Sequence, residues 1–337
     1  MLKRNVPLHH LNTFGLPASA SWFTTISTPT ELAALIDTAE WHYLERFILG
    51  GGSNLIFTGD FAGLVLHVKI HGMELVREDS DAWIVRAGAG ERWHSFVYWT
   101  LAHGWLGLEN LAFIPGTVGG APVQNIGAYG IEISERVQCL ETVDLKTGKT
   151  VIFDRSACQF SYRDSVFKGD AAGRYLINAV VFRLPKLWEP LINHIDVIKE
   201  LEAMKICNPT ARNIADAIVA IRTRKLPDPE RFGNAGSFFK NPVVDSATFA
   251  CLASQYPEMP YYIQPDGMIK LAGGWLIERC GWKGRKFGPV GVYEKQALVL
   301  VNCGGASGRD VLALAFAIQK SVQAVFGVKL VHEPVLL

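Results

Sequence analysis

A glycine-rich segment at residues 115–130 constrains the fold more than any other part of the sequence. Five of its sixteen residues are glycine and two are proline, so a stable helix or strand is not expected there. Glycine reaches positive φ at little cost, which lets successive backbone N–H groups converge on one anion without a Cβ in the way. A plain turn does not need so long a segment, and we therefore predict a ligand-binding loop.

A second, shorter segment places Gly50, Gly51 and Gly52 directly after a predicted strand. A tight turn explains this segment as well as a ligand loop does. Its spacing differs from the G-x-G-x-x-G fingerprint of Rossmann folds, and no helix is predicted to begin there. Two glycine-rich loops suit a dinucleotide with a pyrophosphate and an extended body. We expect a flavin held by loops between two small α+β subdomains.

The sequence Gly148-Lys149-Thr150 looks like the end of a phosphate-binding P-loop. That motif has an earlier glycine where this chain has Val143, and it has a helix where a strand is predicted. Residues 146–149 instead predict the turn of a β-hairpin, because alternating strands flank a glycine. A P-loop nucleotide site is therefore not expected.

Helices and strands are predicted along the whole chain. Thr28, Pro29 and Glu31 predict a capped helix start, and Pro227-Asp228-Pro229 predicts a domain hinge. The fold class is therefore α+β, with a split first half and a separate domain after residue 228 or so. Strands are predicted at residues 21–27, 46–49, 63–68, 82–87, 138–145, 149–153 and 298–301, and helices at 28–36, 94–103, 196–204, 211–225, 271–280 and 308–326.

Length and composition are those of an ordinary globular protein of two or three domains, with 337 residues, 49% hydrophobic and 19% charged. A net charge of +1 gives no global field for nucleic acid or an acidic membrane, so an anionic ligand requires a local cluster. The six cysteines form no CxxC pair, which predicts reduced thiols rather than disulfides or a zinc site. No signal-peptide pattern and no stretch of ~18 apolar residues is found. We expect a cytoplasmic protein.

A metal site is not expected either. His67 and His71 are four residues apart, which on one strand separates them by ~13 Å. No aspartate or glutamate completes a ligand set around them.

Four motifs follow one another along the chain: Leu49-Gly50-Gly51-Gly52-Ser53-Asn54, residues 115–130, Ser161-Tyr162-Arg163-Asp164-Ser165, and Gly233-Asn234-Ala235-Gly236-Ser237-Phe238-Phe239-Lys240-Asn241-Pro242. In these motifs the chain strongly resembles the UDP-N-acetylenolpyruvoylglucosamine reductase family in its first, or type I, class. Further matches lie at residues 225–229, 274–277 and 294–297, so the resemblance covers nearly the whole chain.

The resemblance implies a fold with an FAD-binding domain of the PCMH (vanillyl-alcohol-oxidase-like) type and a separate α+β substrate-binding domain. The FAD domain would comprise subdomains at residues 1–70 and 71–226, and the substrate domain residues 227–327. Residues 328–337 would return to the first subdomain or to the active site. The resemblance implies non-covalent FAD held by Gly50, Gly51, Gly52, Ser53, Asn54, Leu55, Pro115, Gly116, Thr117, Gly119, Gln124, Asn125, Gly127, Ala128 and Arg222.

The family reaction implies NADPH as co-substrate and reduction of UDP-N-acetylglucosamine enolpyruvate to UDP-N-acetylmuramate, a step of peptidoglycan precursor synthesis. Hydride addition to the enolpyruvyl group pushes charge into its carboxylate, so a fixed cation and a proton donor are required. By resemblance Arg163 contacts the carboxylate, Ser237 donates the proton and Glu333 orients or protonates the developing enolate. A guanidinium fork suits two carboxylate oxygens and keeps its charge.

Two other functions remain open on the same scaffold. One is a flavin oxidase that passes electrons to oxygen, and the other is a flavin- or nucleotide-binding module without chemistry. Neither needs an enolate site, so Arg163, Ser237 and Glu333 together favour the reductase. Two departures from the family pattern lie beside Glu333: Pro334 stands where valine or isoleucine is common, and Leu337 ends the chain early.

The resemblance also implies contacts with the UDP-sugar. Lys225 and Asn241 match residues near the diphosphate, Gln296 matches one near the nucleotide, and Tyr262 matches a tyrosine that covers the ligand. His194 stands where type I members have a tyrosine, and an imidazole donates one hydrogen bond as a phenol does. The alternative for each is a solvated side chain, or for His194 a loop that never meets the ligand. We expect a monomer with no nucleic-acid or membrane partner.

Overall fold

The computed structural model describes residues 2–337, which form two compact units. Unit 1 comprises the chain up to Val6, Ala20–Gly52 and Phe61–Arg224. Unit 2 comprises Pro7–Ser19, Ser53–Asp60 and Lys225–Leu337. Each unit is thus assembled from separate stretches of chain, and the three-domain limits implied by the resemblance stay predictions.

Strands and helices alternate through both units. The strands are β1 (Lys3–Pro7), β2 (Ser19–Ile26), β3 (Arg46–Leu49), β4 (Leu55–Ile56), β5 (Phe61–Val68), β6 (Met73–Glu78), β7 (Ala82–Gly88), β8 (Gly127–Ala128), β9 (Ile131–Glu132), β10 (Val137–Asp144), β11 (Thr150–Asp154), β12 (Tyr175–Pro185), β13 (Asn234–Ser237), β14 (Val243–Val244), β15 (Tyr261–Ile263), β16 (Ile269–Leu271), β17 (Lys286–Phe287), β18 (Val290–Val292), β19 (Val299–Asn302) and β20 (Val335–Leu336). The helices are α1 (Pro29–Ile36), α2 (Trp93–Ala102), α3 (Ile195–Ala203), α4 (Ala211–Lys225), α5 (Ser246–Gln255), α6 (Gly273–Arg279) and α7 (Gly308–Phe326).

Unit 1 is built on two sheets. In the first, of order β1-β2-β5-β3, strands β2, β5 and β3 run parallel. In the second, of order β11-β10-β12-β7-β6, all neighbours are antiparallel. Trp93, Phe96 and Phe182 pack together on the second sheet, with ring centroids 4.9–6.1 Å apart. This aromatic contact of α2 with β12 buries the centre of the unit.

Unit 2 contains the sheet β13-β19-β18-β17, the small sheet β14-β16-β15 and the parallel pair β20-β4. Its core includes Phe14, Phe238 and Phe239, which are almost fully buried. Helix α7 contributes an apolar face to the same core. No helix among residues 2–337 is both long and apolar enough to cross a membrane.

Several helices begin and end where the sequence predicts. Thr28 Oγ1 accepts from the Glu31 N–H at 3.1 Å, and Glu31 Oε2 accepts from the Thr28 N–H at 3.3 Å, which confirms the capping box of α1. Helix α7 has both predicted ends, because Ser307 caps its start and Gly327, at φ 68°, ends it. Helix α4 also has both predicted ends, whereas α6 is shorter than the predicted segment.

The hairpin predicted at residues 146–149 is confirmed. Strands β10 and β11 pair antiparallel, with Val143 opposite Thr150. A strand therefore follows Lys149, which excludes a P-loop at this position.

Many short strands are not predicted by the sequence patterns, and neither are the central strand β12 and helix α5. All residues of β12 from Leu176 to Phe182 are buried, so this central strand shows no apolar–polar alternation. Helix α5 buries only Leu252 among its ten residues, which leaves no clear apolar stripe. Local periodicity therefore marks neither element: β12 is buried on both faces and α5 is largely exposed.

Gly308→Ala should destabilise unit 2, because a Cβ at Gly308 would lie 1.9 Å from the carbonyl oxygen of Phe57. We expect a loss of about 1–3 kcal/mol in the free energy of unfolding, as for other overpacked sites. Gly59→Ala is the matched control, since no atom lies within 4 Å of a Cβ at Gly59. Urea unfolding of both variants measures the difference, and equal midpoints would contradict this packing.

Candidate functional site

The two glycine-rich segments meet in unit 1. A Cβ added at Gly50 would lie 2.8 Å from Thr117 Oγ1, and one at Gly51 would lie 2.8 Å from Gly116 Cα. Side chains do not tolerate such contacts, so glycine at both positions lets two backbones approach each other. The loops were predicted from the sequence, but their contact follows only from the structure.

The long loop is anchored to the turn that follows β7. The Gly119 N–H donates to Ala89 O and the Val118 N–H donates to Glu91 O, both at 2.9 Å. Gly116 O accepts from the Trp93 N–H at 3.1 Å, at the first residue of α2. The loop backbone is therefore fixed by the protein itself, which gives a ligand a preformed surface.

Asn125 shapes this loop from inside. Its Nδ2 donates to Glu132 Oε2 at 2.7 Å and to Ser161 O at 3.0 Å, and its Oδ1 accepts from the Ser134 N–H at 3.1 Å. The residue is fully buried. Its side chain is thus committed to the protein, and the cofactor contact expected of Asn125 stays a prediction.

Backbone strain is concentrated near the same loop. Among residues 2–337, seven non-glycine residues have positive φ, and four of them are Phe113, Asn125, Tyr129 and Arg163. Such residues cost about 1–3 kcal/mol each and persist where the surrounding structure holds them, often at functional sites. Tyr129 is not among the residues singled out by the sequence analysis, although it lies in the long loop.

Arg163 is placed by a tight turn in which Ser161 and Asp164 exchange backbone hydrogen bonds at 3.1 Å. Its Nη2 donates to Gly127 O at 2.6 Å, and a Cβ at Gly127 would lie 3.0 Å from Nη1. Glycine in the long loop therefore makes room for the guanidinium. The structure thus brings the third motif to the second.

Arg222 and Tyr129 form a half-buried polar pair beside Arg163. Arg222 Nε donates to Phe113 O at 3.1 Å, and its guanidinium interacts electrostatically with the Tyr129 hydroxyl. Burial lowers the pKa of Arg222, and the charge of Arg163 lowers it further. Burial raises the pKa of Tyr129. Two guanidinium groups so placed repel each other, and a bound anion would relieve both the repulsion and the desolvation.

His194 lies next to this pair. Its ring stands edge-on to Tyr129 with centroids 5.0 Å apart, and its Nδ1 accepts from the Asp196 N–H at 3.2 Å, capping α3. Because Nδ1 accepts, the neutral ring carries its proton on Nε2, which leaves Nε2 as the donor. The structure therefore places His194 with Arg222 and Tyr129 on one side of unit 1.

Ser237 ends strand β13 of unit 2 and is half-buried. It lies opposite Val299 of β19, after an irregularity in register that begins at Asn234. Gly236, which directly precedes Ser237, has φ 70°, and its N–H donates to Asn234 Oδ1 at 3.0 Å. No atom lies within 4 Å of a Cβ placed at Gly236. The Gly236 backbone is thus held by its hydrogen bond to Asn234, and the space at its Cβ position is open. A flat ring could approach Ser237 through that space.

Glu333 lies beside Ser237 in unit 2. The Glu333 N–H donates to Phe238 O at 2.8 Å, and Phe238 directly follows Ser237. The next pairing, Phe239 with His332, continues the same antiparallel contact. The structure therefore brings together two predicted catalytic residues that are 96 positions apart in the sequence.

The C-terminal segment accommodates Pro334 without loss of a hydrogen bond. The N–H groups of Glu333, Val335 and Leu337 donate to Phe238, Asn54 and Ile56 respectively. Alternate residues use their N–H groups, so the missing N–H of Pro334 falls on the other side of the segment. The short tail is also used, since Leu337 O accepts from Thr58 Oγ1 at 2.9 Å.

The remaining substrate-binding predictions fall in three places of unit 2. Asn241 Oδ1 accepts from the Gly273 N–H at 2.9 Å, and Gln296 Oε1 lies 3.2 Å from a Cβ position at Gly274, so both flank the start of α6. Tyr262 is exposed on β15, with the Lys270 ammonium 5.9 Å from its ring centroid. Lys225 is the last residue of α4. Their contacts with a substrate stay predictions.

The predicted residues divide between the units, and the first glycine-rich motif is cut between Gly52 and Ser53. Among residues 2–337, no three His, Cys, Asp or Glu side chains are grouped so that they could hold a metal ion. Unit 1 holds Gly50, Gly51, Gly52, Pro115, Gly116, Thr117, Gly119, Gln124, Asn125, Gly127, Ala128, Arg163, His194 and Arg222, and unit 2 holds Ser53, Asn54, Leu55, Lys225, Ser237, Asn241, Tyr262, Gln296 and Glu333.

Comparison with known proteins follows this division. Residues 228–337 match the family model described as the C-terminal domain of UDP-N-acetylenolpyruvoylglucosamine reductase, and residues 21–154 match the model of an FAD binding domain. A UDP-N-acetylenolpyruvoylglucosamine reductase of Azoarcus sp. (strain BH72) is 60% identical over 331 residues, which cover 97% of this chain and 95% of the relative. The chain belongs to the UDP-N-acetylenolpyruvoylglucosamine reductase family.

Other members support the same assignment. The enzyme of that name from Burkholderia mallei (strain NCTC 10229) is 58% identical over 328 residues, covering 97% of this chain and 94% of the relative. The crystal structure of the Thermus caldophilus enzyme matches all of this chain and 98% of its own, with a TM-score of 0.65 and 23% identity. The latter likeness concerns the fold. The resemblance drawn from the four motifs and the predicted fold class, a PCMH-type FAD domain with a separate C-terminal domain, are therefore confirmed.

FAD fits the residues that unit 1 provides. The family model identifies an FAD-binding domain, and the chain is accordingly a flavoprotein oxidoreductase of this family. Gly50 and Gly51 let the first glycine-rich loop lie directly against Thr117 and Gly116, where a Cβ would push the two loops apart. The guanidinium groups of Arg222 and Arg163 supply positive charge for an anionic group.

Gly51→Ala should weaken FAD binding, because its Cβ would push the two glycine-rich loops apart at Gly116. We expect the dissociation constant for FAD to rise at least about tenfold, the effect of roughly 1.4 kcal/mol. Gly120→Ala is the control in the long loop, since its Cβ would meet only atoms at 3.6 Å. Flavin fluorescence titration of the apoprotein measures the FAD dissociation constants of both variants. Equal constants would show that the contact between the two loops does not shape the FAD site.

Proposed function

We propose that this protein uses NADPH to reduce the enolpyruvyl group of UDP-N-acetylglucosamine enolpyruvate, giving UDP-N-acetylmuramate. The curated relatives bear the name of that reductase at up to 60% identity in the matches above. The observation that supports the proposal is the hydrogen bond from the Glu333 N–H to Phe238 O, which brings the backbone at Glu333 next to the residue that follows Ser237. A flavin oxidase or a simple binding module has no use for that pair.

FAD, when bound, supplies a hydride from its reduced form to the terminal carbon of the enolpyruvyl group. The protein then has to hold the charge that moves into the carboxylate and to protonate the neighbouring carbon. Arg163 holds the carboxylate, because its guanidinium keeps its charge and its planar fork matches two oxygens. The turn at Ser161 and Asp164 and the bond to Gly127 O fix the direction of that guanidinium.

Ser237 donates the proton from its Oγ to the carbon next to the carboxylate. A serine hydroxyl is a weak acid, but an enolate-like carbon is basic enough for the transfer to run downhill. Glu333 orients or protonates the developing enolate on the carboxylate side. In this proposal the C-terminal segment is catalytic, and the hydrogen bonds of Val335 and Leu337 keep Glu333 in register.

The rest of the site would bind the UDP-sugar. We propose that Lys225, Asn241 and Gln296 contact its diphosphate and nucleotide, with Tyr262 covering the ligand. Nε2 of His194 donates one hydrogen bond to the diphosphate region, in place of the tyrosine of other type I members. The carboxylate and phosphates of this substrate are anions. The net charge of +1 is too small to attract them, so local groups such as these have to bind them.

Aerobic NADPH consumption, measured with and without the enolpyruvyl sugar on FAD-loaded protein, tests the proposal. We expect NADPH oxidation that depends on the sugar, with one UDP-N-acetylmuramate formed per NADPH. Consumption independent of the sugar, with peroxide released, would establish an oxidase. Failure of NADPH to bleach the flavin, together with no turnover, would leave a binding module.

A further inference from the structure

We infer that Asn110 and Glu109 are positioning residues for substrate binding, because they hold the segment at residues 186–194 beside Tyr129. This segment joins β12 to α3 and has no regular secondary structure of its own. It ends at His194, so its position sets where that imidazole lies. The inference rests on the proposed function, in which His194 contacts the UDP-sugar. Neither Asn110 nor Glu109 touches the substrate in this scheme.

Asn110 joins two backbones with one amide. Its Nδ2 donates to Tyr129 O at 2.9 Å and to Leu191 O at 2.8 Å. The residue is 2% exposed, so the two bonds form away from water, where an unmade bond is costly. Gly130 lies against the same stretch, since its Cβ would be 2.8 Å from Asn193 Oδ1. The turn at Tyr129 and the 186–194 segment are thus held together by a single buried side chain.

Glu109 anchors the other end of the segment. Its Oε1 accepts from Trp188 Nε1 at 2.6 Å, and its Oε2 accepts from the Gly107 N–H at 2.7 Å. At 3% exposure the carboxylate is buried, and a buried carboxylate requires such donors. Two consecutive residues of one short 3-10 turn therefore fix Trp188 and Leu191 of the segment.

Packing holds the segment only in part. Trp188, Leu191 and Ile192 are partly buried against the core of unit 1. A cavity of about 220 Å³ is lined by Trp188 and Leu191 of the segment together with Glu109 and Asn110. The polar anchors therefore add to a packing that leaves space beside the segment.

The anchored segment bears directly on the candidate site. His194 stands edge-on to Tyr129, and the hydroxyl of Tyr129 interacts electrostatically with Arg222. Loss of the Asn110 amide would free the Tyr129 turn and the segment from each other. The substrate would then have to order both on binding, which weakens its affinity without changing its chemistry.

Asn110→Ala tests this in FAD-loaded protein, with two measurements. Hydrogen exchange, without substrate, should be faster at the amides of residues 187–194. The dissociation constant for UDP-N-acetylglucosamine enolpyruvate, followed by the flavin spectrum, should rise about tenfold for the loss of two neutral hydrogen bonds. The rate of flavin reduction by NADPH in the absence of the sugar should stay at the wild-type value.

Asn12→Ala is the matched control, because Asn12 is a buried asparagine of unit 2 whose Nδ2 donates to Leu8 O and Leu16 O, both at 3.0 Å. It should lose stability without loss of sugar affinity. Trp188→Phe is the milder second variant if Asn110→Ala does not fold. It removes the N–H donated to Glu109 together with part of the ring, but it leaves both bonds of Asn110 in place, and we expect a smaller change in the same direction.

The outcomes separate the inference from the proposed function. Wild-type protein that does not bind the sugar would overturn the proposed function, and hydrogen exchange would still decide whether Asn110 holds the segment. If wild type binds the sugar but Asn110→Ala and Trp188→Phe bind it equally well, the positioning role is wrong. Unchanged exchange at residues 187–194, or an equal loss of affinity in Asn12→Ala, would also overturn it.

Discussion

Ser237→Ala should lower turnover of the enolpyruvyl sugar by about 10²–10⁴-fold, the usual contribution of a positioned proton donor. Flavin reduction by NADPH should proceed at the wild-type rate, because Ser237 acts only after the hydride has left the flavin. The protein should remain folded, since the pairing of residue 237 with Val299 is made by backbone groups. Stopped-flow absorbance measures the two half-reactions separately.

Ser254→Ala controls for removal of a serine hydroxyl elsewhere in unit 2. Its Oγ donates only to Cys251 O, at 2.8 Å, on an exposed face of α5. Both half-reactions of this control should match the wild type. If the sugar reoxidises the flavin of Ser237→Ala as fast as that of the wild type, Ser237 is not the proton donor.

Arg163→Lys should slow reoxidation of the flavin by the sugar about 10²–10³-fold, which is typical of losing one donor to a developing oxyanion. Lysine keeps the charge but has no planar fork, and it cannot make two parallel bonds to a carboxylate. The bond from Nη2 to Gly127 O would also be lost, so the cation would no longer be directed. Flavin reduction by NADPH builds no charge on the sugar carboxylate and should change little.

Arg174→Lys is the matched control in unit 1. Arg174 lies over the ring of Tyr175 and binds Asp144 at 2.9 Å, but it is exposed and directly precedes β12. We expect no change in either half-reaction. Equal slowing of both half-reactions in Arg163→Lys would assign Arg163 to the flavin rather than to the carboxylate.

The sequence by itself determined the elements whose signals are local. Thr28 and Glu31 define the start of α1 because the capping bonds join residues three apart, and the helix predicted at residues 308–326 is likewise found as α7. The hairpin at Gly148 is equally local. The four motifs also identified the family, since their residue types and their order can be recognised without knowledge of any contact. These features depend on neighbours along the chain.

Only the tertiary structure decided which strands pair and which distant residues come into contact. Strand β12 pairs with β10 and β7 at its edges, and its residues from Leu176 to Phe182 are buried on both faces, so no alternation marks it. The proximity of Ser237 and Glu333 depends on a hydrogen bond between residues 95 positions apart, 238 and 333, and nothing local encodes that pairing.

The residues around the long loop show the same limit. Asn125 was predicted as a cofactor contact, but three hydrogen bonds commit its side chain to the protein. Tyr129 and Asn110 escaped the sequence analysis, because an aromatic residue and a buried amide carry no pattern until their partners are known. Propensity and capping act between residues a few positions apart in the sequence. A site, in contrast, is formed by side chains from distant parts of the chain, which burial and strand register bring together.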